Sequence, residues 1–243
     1  MEQNSTVGIE KKAESQQDFN TDSNSGELKN SERTFNFKTS LGKRVLAGEF
    51  KSIDEILDKG IKIREAEIVD YLIPDLKIDF LNIGQMKGKM GGGKRTIRRN
   101  TQQVTAEGKK QHFALMAVVG DGKGHIGIGY GRGPDAVIAR EKAIKRAKTS
   151  IIKIKLGCGS RECACDTPHS IPFNVEGKNS SVRVKLICAP KGLGLCASAD
   201  VKKIMRLAGI KDIWVFSRGN TSTRVSLGYA VFDALKKINA FHS

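Results

Sequence analysis

An α+β fold, long enough at 243 residues for two small domains, is what this sequence predicts. Three observations predict it. Segments whose apolar residues alternate at a period of two are interleaved with segments where they recur every three or four positions, so strands and helices share the chain. The helical segments are bounded by capping residues, glycine and proline. One stretch, EGKKQHFALMAVVGDGKGHIGIGYGRG at 107–133, reads as a β-hairpin: an apolar strand from His112 to Val119, a Gly-Asp-Gly turn, and a return strand in which Gly127, Gly129, Gly131 and Gly133 alternate with Ile126, Ile128, Tyr130 and Arg132. A strand that gives up side chains on one face does so mainly where another backbone or a ligand must come close.

The first 34 residues are mostly Ser, Asn, Gln, Glu and Asp, with too little apolar surface to offset the entropy of ordering, so a disordered acidic tail is expected there. Structure should begin near Phe35. Ser52 and Glu55 have capping-box spacing, Phe50 and Ile56 can staple across them, and Gly60 ends a short helix. A second amphipathic helix over Ala66 to Leu72 stops before Pro74, and Ile78 to Gly84 reads as a strand. From 86 to 110, MKGKMGGGKRTIRRNTQQVTAEGKK reads as a flexible basic loop. After the hairpin, Gly133-Pro134-Asp135 opens a helix running to about Ile151, with Val137, Ala143, Ile144, Ala147 and Ile151 inward and Arg140, Lys142, Lys145, Arg146 and Lys148 outward. That basic outer face suits phosphate contact and plain solvation equally. Past Leu156, Ser170 to Val175 and Ser181 to Ala189 read as strands, Ala199 to Ala208 as a helix stopped by Gly209, Ile210 to Phe216 as a strand, and Thr223 to Ile238 as a closing helix.

Charge points to the partner. The formal net charge is +16 and the pI about 9.7; the first 34 residues hold four basic against seven acidic residues, so the rest of the chain carries +19. Such an excess on a compact body favours a polyanion, nucleic acid first and an anionic membrane second. No apolar run reaches the ~18–20 residues of a membrane span and no signal peptide opens the chain, so a cytosolic protein with reduced thiols is expected. Within the basic loop, Lys87, Lys89, Lys94, Arg95, Arg98, Arg99, Lys109 and Lys110 stand against Glu107 alone. Eight cations to one anion in a Gly-rich segment favour RNA phosphate contact over a merely solvated loop.

Cys158, Cys163, Cys165 and His169 form C-x4-C-x-C-x3-H. Three thiolates and an imidazole are a tetrahedral zinc set, although the spacing departs from the usual C-x2-C knuckle. The alternative is free thiols, with His169 hydrogen-bonded to RNA or backbone. Cys188 and Cys196 read as core residues. The loop APKGLGLCASAD, ahead of a helix, is similar to the Gly-rich phosphate loop of a family of small-molecule kinases. Asp200, Asp212 and Asp233 sit on separate elements, however, so no paired carboxylates assemble a phosphoryl-transfer site; backbone amides offered to an rRNA phosphate, or a helix cap, is the preferred reading.

The 107–133 hairpin, the APKGLGL loop, and AGIKDIW followed by RGNTSTR carry a resemblance. From about Leu41 to Ile238 the chain resembles the universal small-subunit ribosomal family numbered five in bacteria and two in eukaryotes. LGCGSRECACDTPHSIPF and LGKRVLAGEFKSIDEIL resemble its archaeal branch. The resemblance implies a double-stranded-RNA-binding-like N-terminal domain and a C-terminal α/β domain with a left-handed βαβ crossover. With the acidic tail (1–34) outside the resemblance, the chain divides into a helical lead-in (35–77), the RNA-binding-like domain (78–156), a Cys-rich interdomain loop (157–170) and the C-terminal domain (171–243). The resemblance also implies a structural, non-catalytic constituent of the small subunit on cytoplasmic ribosomes, bound to 16S-type rRNA near the tunnel where mRNA enters. Neighbours would come from the families numbered three, four and eight, with roles in assembly and reading accuracy. Lys94 and Arg95 lead the expected RNA contacts, and Arg132 and Lys191 join them. The 91–110 segment departs from the family by a turn or two of extra Arg-rich chain. A free-standing double-stranded-RNA binder, or a kinase-like enzyme, are the alternatives.

Overall fold

The computed structural model describes residues 37–85, 93, 95–165 and 167–240. The acidic tail and the predicted contacts Lys87, Lys89 and Lys94 lie outside the described residues. Three short helices lead in: α1 (Ser40–Leu46), α2 (Ile53–Asp58) and α3 (Ala66–Leu72). Glu65, the N-cap of α3, pins the start of α1 by accepting the N–H groups of Lys38 and Thr39, both at 3.0 Å. Phe37, Val45, Phe50, Ile53, Ile56 and Ile68 are buried among these elements. The capping box at Ser52 differs from expectation: its hydroxyl donates to Glu55 Oε1 at 3.3 Å and caps no backbone amide.

The first sheet is antiparallel throughout. It comprises β1 (Lys77–Phe80), β4 (Arg99–Thr105), β5 (Gly108–Gly120), β6 (His125–Gly133) and β7 (Ile152–Lys153), with β2 (Gly84–Gln85) and β3 (Arg95–Thr96) forming a small separate pair. Long β5 is the spine: β1 pairs with its Ala117–Gly120 end, β4 with 108–114, and β6 with 113–120. The predicted loop over 86–110 is therefore corrected in its second half. Residues 99–112 form a two-stranded ribbon that runs beyond β6 for some five residues of β5, roughly 15 Å.

Helix α4 (Ala136–Thr149) lies on the glycine face of β6. A Cβ built on Gly129 would stand 2.2 Å from Ala147 N and 2.3 Å from Ala143 O, so helix backbone fills the space that side chains would need. The helix face that makes this contact is Ala139, Ala143 and Ala147, all fully buried; Ala143 and Ala147 belong to the predicted stripe and Ile151 is buried too, whereas Val137 is 61% exposed and Ala139 takes its place. Only small residues at i, i+4 and i+8 let the two backbones meet. Asp135 is the N-cap, leaving Pro134 outside the helix, and Ile151 follows its end.

The second sheet has the order β10 (Leu195–Cys196), β11 (Ile213–Arg218), β9 (Val182–Cys188), β8 (Val175–Asn179). β10 and β11 are parallel, joined through α5 (Ala199–Ala208); the other pairs are antiparallel. The strand expected at Ser170 to Val175 starts where that prediction ends, because Pro172 interrupts the earlier residues and β8 is an edge strand. α5 matches its predicted bounds, and Gly209 terminates it in the left-handed region at φ 85°. The closing helix α6 (Arg224–Ala240) buries Leu227, Ala230, Val231, Phe232, Ala234, Leu235 and Ile238. One apolar core unites the two sheets: Met116, Val118, Ile126 and Ile128 pack with Val184, Leu186, Met205, Ile213 and Leu227.

Candidate metal centre and basic ribbon

The Cys-rich loop is closed by reciprocal backbone hydrogen bonds between Gly157 and Ser170, both 2.9 Å. This closure sets Cys158 beside the end of its own loop. The ligand atoms of Cys158, Cys163, Cys165 and His169 all lie within 4.8 Å of one another. His169 Nε2 is 3.1 Å from Cys165 Sγ and 3.5 Å from Cys163 Sγ. Two thiolates sharing a tetrahedral zinc at ~2.3 Å stand about 3.8 Å apart, so the widest separations must close by about an ångström while the short His169–Cys165 pair opens slightly.

The thiols respond to one another. Hydrogen bonding from Cys165, helped by the Lys191 backbone N–H and by His169, lowers Cys163 to about 7. Hydrogen bonding with Cys163, reinforced by the charge on the neighbouring sulfurs, pushes Cys165 up to about 12. Three thiolates so close repel, and a cation is what would let all three ionise together. His169 is 2% exposed, and its other nitrogen, Nδ1, lies 2.9 Å from Asp212 Oδ2, off the straight line of a hydrogen bond. A carboxylate behind the imidazole is the arrangement that orients a metal-bound histidine.

Asp212, 5% exposed, was legible in the sequence only as an unpaired carboxylate. It stands immediately before β11, and Oδ1 accepts the N–H groups of Gly192 at 3.1 Å and Gly194 at 2.7 Å. This corrects the reading of APKGLGL as a phosphate loop: those amides already hold an anion. The kinase alternative loses its carboxylates as well, since Asp200 accepts Asn82 N–H at 3.1 Å and Asp233 accepts Lys178 N–H at 3.1 Å. Cys188 is buried as expected, whereas Cys196 is exposed on edge strand β10.

On the ribbon, the register places Arg99 and Arg132 on either side of Ala114. The small floor between two guanidinium arms is a shallow recess of about 230 Å³, lined also by Thr101 and Tyr130. Lys110 shares this face by strand alternation and approaches Glu107 at 2.9 Å; Lys109 points to the opposite face. Arg98 and Arg99 are exposed and Arg95 half-buried. Lys191 is exposed on the loop beside the cysteines, apart from this group. No helix among the described residues is long and apolar enough to cross a membrane.

The family model described as "Ribosomal protein S5, N-terminal domain" matches residues 96–155, and "Ribosomal protein S5, C-terminal domain" matches 177–243. Small ribosomal subunit protein uS5 of Nanoarchaeum equitans is 54% identical over 202 residues, covering 83% of this chain and 87% of that protein. The uS5 protein of Thermofilum pendens is 44% identical over 85% of this chain and 95% of its own, and that of Picrophilus torridus 45% over 82% and 84%. The chain belongs to the ribosomal protein S5 family. The S5 N-terminal match covers the ribbon from Thr96 onward and α4, and the C-terminal match covers the sheet that carries Asp212; the cysteine loop lies between the two matches.

Proposed function

We infer that the protein is a structural, non-catalytic constituent of the small subunit of cytoplasmic ribosomes, bound to small-subunit rRNA and to neighbouring ribosomal proteins. Family membership across both S5 domains carries this reading. Its finer parts are proposals. Residues 78–156 act as a double-stranded-RNA-binding-like domain, a reading supported by an antiparallel sheet with one helix packed on a single face. Residues 171–243 form the C-terminal domain with a left-handed crossover through α5, supported by the parallel β10–β11 pair. The lead-in over 35–77 and the cysteine loop over 157–170 complete the division. The site lies near the tunnel where mRNA enters, beside proteins of the families numbered three, four and eight, and serves assembly and reading accuracy.

The ribbon makes the RNA contacts through Arg95, Arg98, Arg99, Lys109, Lys110 and Arg132, with Lys87, Lys89, Lys94 and Lys191 as further cations. Long side chains on a narrow exposed ribbon reach phosphates without disturbing any core. Cosedimentation with small subunits at moderate salt is expected. Equal affinity for any RNA duplex, with loss from subunits at that salt, would favour the free-standing binder instead.

Cys158, Cys163, Cys165 and His169 hold zinc as a closed four-ligand structural site. The fit of ligand types, the small gap to tetrahedral spacing and the carboxylate behind His169 support it. When bound, zinc cross-links the loop to itself without an open position for chemistry. Elemental analysis of purified protein should find about one zinc per chain, reduced in Cys163→Ser; background zinc in the wild type would overturn the site.

A further inference from the structure

We propose that the Ala189–Leu195 loop is the outer shell of this metal centre, so that metal occupancy sets the order of the loop and holds Lys191 outward for RNA phosphate. The proposal rests on the zinc reading above. Two amides of one short segment turn inward to the same carboxylate: Gly192 and Gly194 N–H donate to Asp212 Oδ1 at 3.1 and 2.7 Å. Gly192 and Gly194 take φ values of 92° and 76°, the left-handed geometry that turns amides of one short segment toward a common anion. Asp212 then meets His169 Nδ1 at 2.9 Å, and His169 O accepts the N–H groups of Lys211 at 2.9 Å and Asp212 at 3.1 Å. Loop, carboxylate, imidazole and thiolates are thus one connected network, built from segments far apart in sequence.

Occupancy of the centre acts on the anchor of the loop, Asp212. A metal on His169 Nε2 fixes the proton on Nδ1, facing the buried carboxylate of Asp212. Without the metal, the imidazole is free to carry its proton on Nε2, toward the sulfurs, which turns a lone pair of Nδ1 against that carboxylate. That change loosens the loop when metal leaves. With its amides turned inward, the loop has the exposed Lys191 side chain to offer a phosphate.

Hydrogen exchange of the full chain, loaded with one equivalent of zinc or stripped by a chelator, tests this. The amides of Gly192 and Gly194 should exchange at least ~10-fold faster when stripped, while those of β9 at 182–188 change little. Asp212→Asn should bind zinc ~10–100-fold more weakly than wild type. If the wild type binds zinc yet the loop amides exchange alike in both states, or Asp212→Asn binds zinc as the wild type does, the coupling is overturned and the zinc site stands. If the wild type takes up no zinc, the site and the coupling fall together. The wild-type comparison needs no variant to fold.

Discussion

Gly129→Ala tests the packing of α4 on the glycine strand. The added methyl would lie 2.2 Å from Ala147 N and 2.3 Å from Ala143 O, against an ordinary contact of 3.4 Å or more, so α4 must retreat by about 1.2 Å. Neither obstacle is the tip of a flexible side chain. Both are backbone of a helix that Gly127 and Gly131 draw equally close on either side. A retreat of that size removes a quarter to a half or more of the dispersion contact beneath Ala139, Ala143 and Ala147 and loosens their packing on Leu115, Ala117 and Val119. The loss belongs at the upper end of overpacking, about 3 kcal/mol. For a chain of this size that is a fall in Tm of roughly 6–12 °C. Thermal and urea unfolding of purified protein, followed by circular dichroism, measure it. Val137→Ala on the outer face of the same helix should stay within about 0.5 kcal/mol of wild type. A Gly129→Ala variant within 1 kcal/mol of wild type, or a Val137→Ala variant equally damaged, would refute the packing argument.

His125 lies between Asp121 at 2.6 Å and Asp54 at 2.8 Å, with Lys153 3.2 Å from Asp54 and 3.1 Å from Asp58. The Asp121 hydrogen bond, aided by Asp54, raises His125 above 6.5 despite burial, so its stabilisation is complete below pH 6.5 and is lost as pH rises through the raised value. Burial alone would raise Asp54 and Asp121, but the bonds from His125, with Lys153 and backbone amides, hold both below 3.8; their contribution is lost only as pH falls past that value. Urea midpoints should therefore decline above pH 6.5 in the wild type and less so in His125→Gln; parallel profiles would contradict the clamp. For the ribbon, replacing Arg99, Lys110 and Arg132 together by Ala should flatten the plot of log affinity for naked rRNA against log salt by roughly 0.7–0.9 per lost phosphate contact. An unchanged slope would remove these residues from the interface.

What the sequence disclosed depended on whether a pattern had a local cause. α5 was legible to the residue because an amphipathic run ends in a glycine that must take positive φ. The ribbon was not. Arg99 to Thr105 is polar on both faces, so its strand character comes from the backbone ladder to β5 and leaves no periodic trace. The four candidate metal ligands were visible as a cluster of ligand types within twelve residues. Their partner Asp212 was not, because β11 delivers it from a separate element and one carboxylate in a chain of 26 acidic residues carries no mark. The inward stripe of α4 was legible in part: Ala143 and Ala147 are buried as read, whereas Val137 was taken as inward for its apolar bulk and Ala139, which contact with a glycine face selects, was missed.

The two glycine-rich segments share one logic. Alternating glycines in β6 announce that something approaches the backbone, and Gly192 and Gly194 announce that amides converge on an anion. Neither pattern names the visitor. In β6 it is the backbone of α4, at Ala143–Ala147 beyond the strand's end, and in the APKGLGL loop it is a carboxylate supplied by the protein itself. A phosphate would need those same two amides, and Asp212 occupies them at 3.1 and 2.7 Å. Displacing it would strand a carboxylate that is 5% exposed and faces a buried histidine, a cost of several kcal/mol that one surface phosphate contact does not recover. The loop is accordingly closed to anions at its backbone and open at Lys191. Any RNA contact by this loop would fall to that side chain, because its backbone is already held by Asp212.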